Sequence, residues 1–285
     1  MAFSKQKEET KMEYQLIASD LDGTLLDNNG CVSDENWAAI ETLQKLGVWF
    51  VPATGRAFEA MPTELKENPL IRYYITSNGA MVYDKERGKS YDLALPRQLA
   101  TQVLDKLYSY PVCVMLHAEN RSCVEQSTHN AAYYESYNLN RMWQKYVLEK
   151  ETPVPELKKL AYNAPIVESI TVFFKNMEDL LECKAFFQKD ERLQVAQTDP
   201  HNMEICASRA GKGKALRLLA EKLSVPVEAT IAVGDSTNDL TMITAAGLGL
   251  AMANAVPEVK VAADAVICAN QEHGIRYILE HYIHR

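Results

Sequence analysis

The sequence predicts an α/β protein: a doubly wound parallel sheet into which a smaller α+β module is inserted. Three observations predict it. Apolar strand-like runs alternate with amphipathic helical stretches over the first third of the chain. The same alternation returns over the last third. The middle instead pairs strand signals and groups helices between them. Strands separated by helices imply right-handed crossovers and a parallel sheet, whereas paired strands imply an antiparallel one. The expected division is a core of 1–84 and 209–285 and an insert of 85–208.

EYQLIAS, ending at Ser19, is expected as a buried strand. SDENWAAIETLQKLG follows as an amphipathic helix with Ser33 as N-cap and Gly47 just past its end. VWFVPA is a second strand, FEAMPTELKEN a helix, RYYITS a third strand, and SNGAMVYDKERGKSYDL a hairpin. In the insert, the helix RQLATQVLDKLY precedes strands VCVMLHA and RSCVEQ. Helices HNAAYYESYNL and PELKKLAY come next, then strand ESITVFF, helix MEDLLECKAFFQ and strands RLQVAQ and NMEICAS. The last third gives helix GKALRLLAEKLS, strand EATIAVG, a short helix TNDLTMITAAG, strands LGLAM and DAVICA, and a closing helix GIRYILEHYI.

With 285 residues, 47% hydrophobic and 24% charged, the chain can bury a sizeable core. Its net charge of −8 argues against nucleic acid or an anionic membrane as partner. No segment is long and apolar enough to span a bilayer, and the polar N-terminus lacks the apolar centre of a signal peptide. Residues 1–12 are expected as a frayed extension. Six cysteines, at 31, 113, 123, 183, 206 and 268, form no close C-x-x-C pair, which fits a reducing cytoplasm.

Ligands of open parallel sheets bind beyond the carboxyl ends of the strands. There the sequence places Asp20 and Asp22, Thr54-Gly55-Arg56, Ser77-Asn78-Gly79, and Gly234-Asp235. Taken singly, each cluster has a plain reading. DLDGT makes a tight turn; Thr54 and the residues of GDSTND make helix caps. A calcium loop counted from Asp20 needs Gly sixth and Glu twelfth, where Leu25 and Cys31 stand. AGKGK lacks the glycine spacing and the Ser/Thr of a phosphate loop. Taken together, the plain readings fail. Asp20, Asp22 and Asp235 on one edge repel unless a cation lies among them. Hard oxygen ligands suit Mg²⁺, and a lysine (Lys212 or Lys214), a Thr hydroxyl and backbone N–H groups suit a phosphoryl group opposite it. The chemistry is phosphoryl transfer.

DLDGTLL, ATGR, KGKAL and GDSTNDLTMI…AG…AMANA resemble the four ordered motifs of the haloacid dehalogenase superfamily, and more narrowly its Cof-type, class IIB capped phosphatases. The resemblance implies a Rossmann-like core, with the insert as its cap. It implies Asp20 as nucleophile and Asp22 as general acid/base, whose backbone carbonyl also meets the metal. Thr54 would bind phosphate, with Gly55, Asn78 and Asn238 beside it. Lys212 would bridge nucleophile and phosphate, Asp235 would ligate Mg²⁺, and Asp239 would support the metal through water. The family's usual Gly-Val-Ser-Lys-Gly is here Arg209-Ala210-Gly211-Lys212-Gly213, and the spacing to Ala215-Leu216 favours Lys212 over Lys214.

The activity so implied is Mg²⁺-dependent hydrolysis of a small phosphomonoester, a sugar phosphate foremost, through an aspartyl-phosphate. A phosphomutase of the same superfamily would need a basic cluster in the cap, where only scattered basic residues stand. A non-catalytic binding protein would typically lack a carboxylate that is present here. Substrate choice is expected in the cap, with His117 and Arg121 foremost among His117, Glu119, Arg121, Glu125, His201 and Asn202, while Tyr133 and Tyr134 are expected as core and rim. The expected partner is a small phosphoester alone, for a monomer or homodimer.

Overall fold

A computed structural model describes residues 14–197 and 200–283. The polar extension expected at 1–12 and the Thr198-Asp199 pair lie outside the described residues. The chain begins β1 (Leu16–Ser19), α1 (Asp34–Lys45), β2 (Trp49–Pro52), α2 (Thr63–Glu67), β3 (Tyr73–Thr76), β4 (Met81–Asp84) and β5 (Lys89–Asp92). It crosses into α3 (Arg97–Leu107), β6 (Val112–Ala118), β7 (Arg121–Glu125), α4 (Ala131–Glu135), α5 (Arg141–Lys150), β8 (Thr152–Val154) and α6 (Leu157–Asn163). β9 (Val167–Phe174), α7 (Met177–Phe187), β10 (Leu193–Ala196) and β11 (Asn202–Ala207) complete that part. The return runs α8 (Lys212–Leu223), β12 (Thr230–Gly234), α9 (Leu240–Ile243), β13 (Leu248–Ala251), α10 (Pro257–Ala262), β14 (Ala265–Val266) and α11 (Gly274–Tyr282).

The first sheet is parallel throughout, in the order β14-β13-β12-β1-β2. β1 is an interior strand between β12 and β2 and is apolar on both faces, because successive strand residues point to opposite sides. Ile17 packs with Ile40 and Leu43 of α1 and with Ile275 and Ile278 of α11. Leu16 and Ala18 pack with Leu216 and Leu219 of α8. The sheet is thus covered on both sides, as a doubly wound fold requires. Ser33 caps α1 by accepting from Asn36 N, and Gly47, at φ +75°, follows the helix end.

Three expectations change. RYYITS does not extend the parallel sheet as a full strand: β3 pairs antiparallel with β4 in a three-stranded β3-β4-β5 sheet, joined to β2 by one parallel bridge, Ala53↔Ile75. FEAMPTELKEN is not one helix but a 3₁₀ turn at Phe58–Ala60 followed by α2. Met61 stands extended (φ −75°, ψ 155°) because the ring of Pro62 disfavours helical backbone before it. α5 and β8, which the sequence did not announce, fill 141–154.

The second sheet, β10-β11-β9-β6-β7-β8, is antiparallel except for β7–β8. The expected boundary at 84/85 falls within the β4–β5 hairpin. β5 still pairs with β4, and the first bridge to the second sheet is Leu95↔Val167. On one face, Val112, Val114 and Leu116 of β6 and Ile170 and Val172 of β9 pack with α3, α6 and α7. The alternate residues face the other way, and they wall the site described next.

Candidate active site

At the carboxyl end of β1, the Asp20 amide continues the ladder by donating to Val233 O at 3.0 Å, which fixes its carboxylate over the sheet edge. Lys212 opens α8 and is 1% exposed; its Nζ lies 2.6 Å from Oδ1 of Asp20 and 2.6 Å from Oδ1 of Asp239. Asp239 Oδ2 in turn accepts from the Asp235 and Ser236 amides, at 3.0 Å each, closing the turn after β12. Asp235 accepts from Thr24 Oγ1 at 2.9 Å. Gly23 allows this approach: at φ +82°, a Cβ there would stand 2.5 Å from Asp235 Oδ2.

Asp20, Asp235 and Asp239 offer carboxylate oxygens within 4.8 Å of one another. Burial pushes the Asp20 carboxyl up; Lys212 opposes this, while Asp239 and Asp235 add to it. Burial likewise raises Asp235, against its bond from Thr24. Burial alone would lower Lys212, but Asp20 and Asp239 outweigh it and hold the ammonium charged. Three carboxylates against one ammonium leave surplus negative charge, and the donors are all hard oxygens. That set fits Mg²⁺. Asp20 and Asp235 have the capacity to hold it. Asp239, with one oxygen on Lys212 and the other on two backbone amides, also braces the lysine and the turn.

Asp22 stands outside this cluster. Arg56 grips its half-exposed carboxylate with two bonds, Nε to Oδ2 at 2.9 Å and Nη2 to Oδ1 at 2.6 Å. Burial would lower the Arg56 guanidinium, but the bonds and charge of Asp22 raise it on balance. Arg56 also donates to Ala60 O at 3.3 Å, and the adjoining Glu59 amide donates to Asn120 O of the second sheet at 3.1 Å.

A cleft of about 640 Å³ opens above Asp20. Asp20, Asp22, Thr54, Gly55, Asn78 and Asn238 line it from the parallel-sheet side, with Arg56 and Ser236. Opposite them, the strand period of two delivers Met115 and His117 from β6, Thr171 from β9, and Asn202 and Glu204 from β11. Tyr146 of α5, within electrostatic reach of Arg56, Asp22 and Glu151, completes the lining with Glu151 itself.

The turn after β3 ties the two walls. Ser77 and Asn78, at φ 50° and 52°, lead into Gly79 at φ 85°. Ser77 Oγ donates to buried Glu168, Asn78 Nδ2 donates to Glu204 Oε1 at 2.9 Å, and Asn238 Nδ2 donates to Asn78 Oδ1 at 3.0 Å. Gly79 lies against the Gly211–Lys212 backbone, where a Cβ would come within 2.3 Å of the Gly211 carbonyl carbon.

The structure thus brings Asp20, Lys212, Asp235 and Asp239 into contact, and Thr54, Gly55, Asn78, Asn238 and His117 to the cleft. Lys214 instead donates to Ser208 O. Arg121 is not among the cleft residues: it sits beside the β6–β7 turn and pairs with Glu119 at 3.0 Å. Glu125 accepts from the Leu157 amide at the start of α6, so it braces the cap. Tyr133 and Tyr134 pack in and against the cap core, as expected. Tyr146 and Glu151 were missed, because nothing in their local sequence marks them. Burial pushes Glu151 up to about 7, against the neighbouring Ser122 hydroxyl, and pushes His117 down to about 4.

A model of haloacid dehalogenase-like hydrolases matches residues 17–279. Phosphatase YwpJ of Bacillus subtilis (strain 168) is 31% identical over 94% of this chain and 100% of its own. The 5-amino-6-(5-phospho-D-ribitylamino)uracil phosphatase YcsE of the same organism is 29% identical over 98% of this chain and 99% of its own. A solved haloacid dehalogenase-like hydrolase from B. subtilis has a TM-score of 0.75 at 31% identity, covering 94% of this chain and 99% of that one. With an aspartate–lysine pair at the end of an interior parallel strand and a separate antiparallel sheet above it, this chain belongs to the haloacid dehalogenase-like hydrolases and is a Cof-type phosphatase.

Proposed function

We propose that the protein hydrolyses a small phosphomonoester, a sugar phosphate foremost, with Mg²⁺ and through an aspartyl-phosphate. The observation that carries this reading is the buried Asp20–Lys212 pair on the floor of a cleft walled by the second sheet. An Asp20 oxygen attacks phosphorus, and the ester oxygen leaves; Lys212 holds the nucleophile in place and offsets phosphoryl charge. The Thr54 hydroxyl and the Gly55 amide lie at the cleft wall to take the remaining phosphoryl oxygens. Asp22 protonates the departing alkoxide and then takes a proton from the water that cleaves the acyl-phosphate. Arg56 orients that carboxylate beforehand. Asp20, Asp235 and the Asp22 carbonyl would hold Mg²⁺, which would neutralise charge gathering on the transferring group.

Sugar phosphates fit a wall bearing Thr171 and Asn202. YcsE, named for a phosphoribityl substrate, is consistent with a hydroxylated leaving group. Phosphomutase chemistry is disfavoured: Arg56 is the only Lys or Arg among the described side chains lining the cleft, and Asp22 already engages it. Phosphate release from a panel of sugar phosphates with Mg²⁺ tests the reading, with Asp20→Asn as the blank. Turnover by the Asn variant would remove Asp20 as nucleophile.

A further inference from the structure

We infer that Glu151 and His117 form the subsite that selects a neutral, hydroxyl-bearing leaving group and rejects one carrying a second anion. The inference rests on the phosphatase reading above and concerns the cap wall of the cleft.

The two residues reach that wall from different elements. His117 projects from β6, and Glu151 follows α5 at the start of β8; both line the cleft that Asp20 floors. Glu151 is 7% exposed, and its Oε2 has no hydrogen-bond partner among the described residues. His117 Nδ1 is buried and equally unpaired. Of the cross-strand neighbours of His117, Ser169 adds another unpaired hydroxyl, while the Ser122 hydroxyl lies against Glu151. Buried polar atoms left without partners are costly and rare in folded proteins. Three in one patch, two of them on residues that line the cleft, mark a place where a ligand completes the bonding.

The chemistry of that ligand follows from the donors and charges. A carboxylate accepts hydrogen bonds, and a neutral imidazole both accepts and donates. Together they match adjacent hydroxyls of a sugar or polyol, one donating to Glu151 and the next exchanging a bond with His117. Glu204 further along the wall is committed to Asn78. Arg56, the one lysine or arginine among the described lining residues, is already engaged by Asp22 and is not free to meet a second phosphate or a carboxylate. A second anion would face Glu151 directly, in a site screened from water.

The test compares purified wild-type protein with Glu151→Gln, Glu151→Leu and His117→Phe. Substrates are a set of hexose and pentitol monophosphates, one hexose bisphosphate, and an aryl phosphate without hydroxyls. For Glu151→Leu and His117→Phe, the ratio of kcat/KM for hydroxylated esters over the aryl ester should fall at least tenfold, mostly through KM. Glu151→Gln keeps an acceptor and removes the charge. It should recover part of that ratio and raise kcat/KM for the bisphosphate relative to the monophosphate. Should Leu at 151 prevent folding, the Gln and His117 variants carry the same comparison. A ratio within threefold of wild type in all variants overturns the inference, including when both activities fall together. Wild-type protein that prefers the aryl ester to every hydroxylated ester overturns the sugar-phosphate reading and this inference with it. Good sugar-phosphate turnover with indifferent variants overturns this inference alone.

Discussion

Replacing Glu151 by Gln should remove a specific pH dependence from the stability of the protein. Burial holds the Glu151 carboxyl at about 7 in the folded protein, against an ordinary 4.5. Between those values the folded state keeps a proton that the unfolded chain has released, so stability falls as pH rises. Below about 4.5 both states are protonated and the effect vanishes; above about 7 it is complete. At about 1.4 kcal/mol per pH unit, lifting a carboxyl from 4.5 to about 7 costs the folded state about 3 kcal/mol at pH 8. Gln occupies similar space and does not titrate. The assay is urea unfolding of both proteins from pH 4.5 to 8.5, read as the difference in unfolding free energy. That difference should move in favour of Gln by about 3 kcal/mol across the range. His117, pushed down to about 4, titrates with the opposite slope but is present in both proteins and cancels. Any fixed cost of burying the amide shifts the whole curve without bending it. A difference flat with pH would show that Glu151 titrates like an exposed carboxyl, and the argument from its burial would fail.

Lys212→Met should abolish phosphate release and leave Asp20 and Asp239 without their shared counter-charge; losing one partner of a buried pair costs about 3–5 kcal/mol, measurable by urea unfolding. Wild-type activity should disappear with EDTA and return with added Mg²⁺; full activity in EDTA would remove the metal from the reading. Gly79→Ala should destabilise the protein by at least about 3 kcal/mol and depress kcat, because its Cβ would collide with the Gly211 carbonyl that leads into Lys212. Arg56→Met should change kcat far more than stability, since partly exposed ion pairs contribute about 1 kcal/mol or less; equal loss of both would assign Arg56 to the fold alone.

The strand ends that carry Asp20, Thr54 and Asp235 were legible because apolar runs delivering polar residues are a one-dimensional signal. Lys212 was favoured over Lys214 by the spacing of the family motif to Ala215-Leu216, but its bond to Asp239 was not legible. The Arg56–Asp22 clasp was not legible: a Thr-Gly-Arg turn does not say which way its guanidinium folds. The pairing of β3 escaped for a related reason, since a four-residue apolar strand suits either sheet equally. α5 and β8 were missed because 141–154 mixes aromatic and charged residues without a clean period, and Glu151 went with them. In the cap, alternation along β6, β9 and β11 was visible, but which alternate face turns toward the cleft depends on how the two parts dock. Arg121 was lost to that same ambiguity.

The left-handed Ser77-Asn78-Gly79 turn divides the cap wall into two sectors with different freedom to change. Glu168 and Glu204 are bonded to it, and through Gly79 it supports the backbone that carries Lys212. A substitution at either glutamate would therefore disturb hydrolysis of every ester alike. Glu151 and His117 have no such tether to the catalytic lysine. Redesign of the substrate range should therefore concentrate on the sector they occupy, where a new side chain can alter preference while the hydrolytic machinery stays in register.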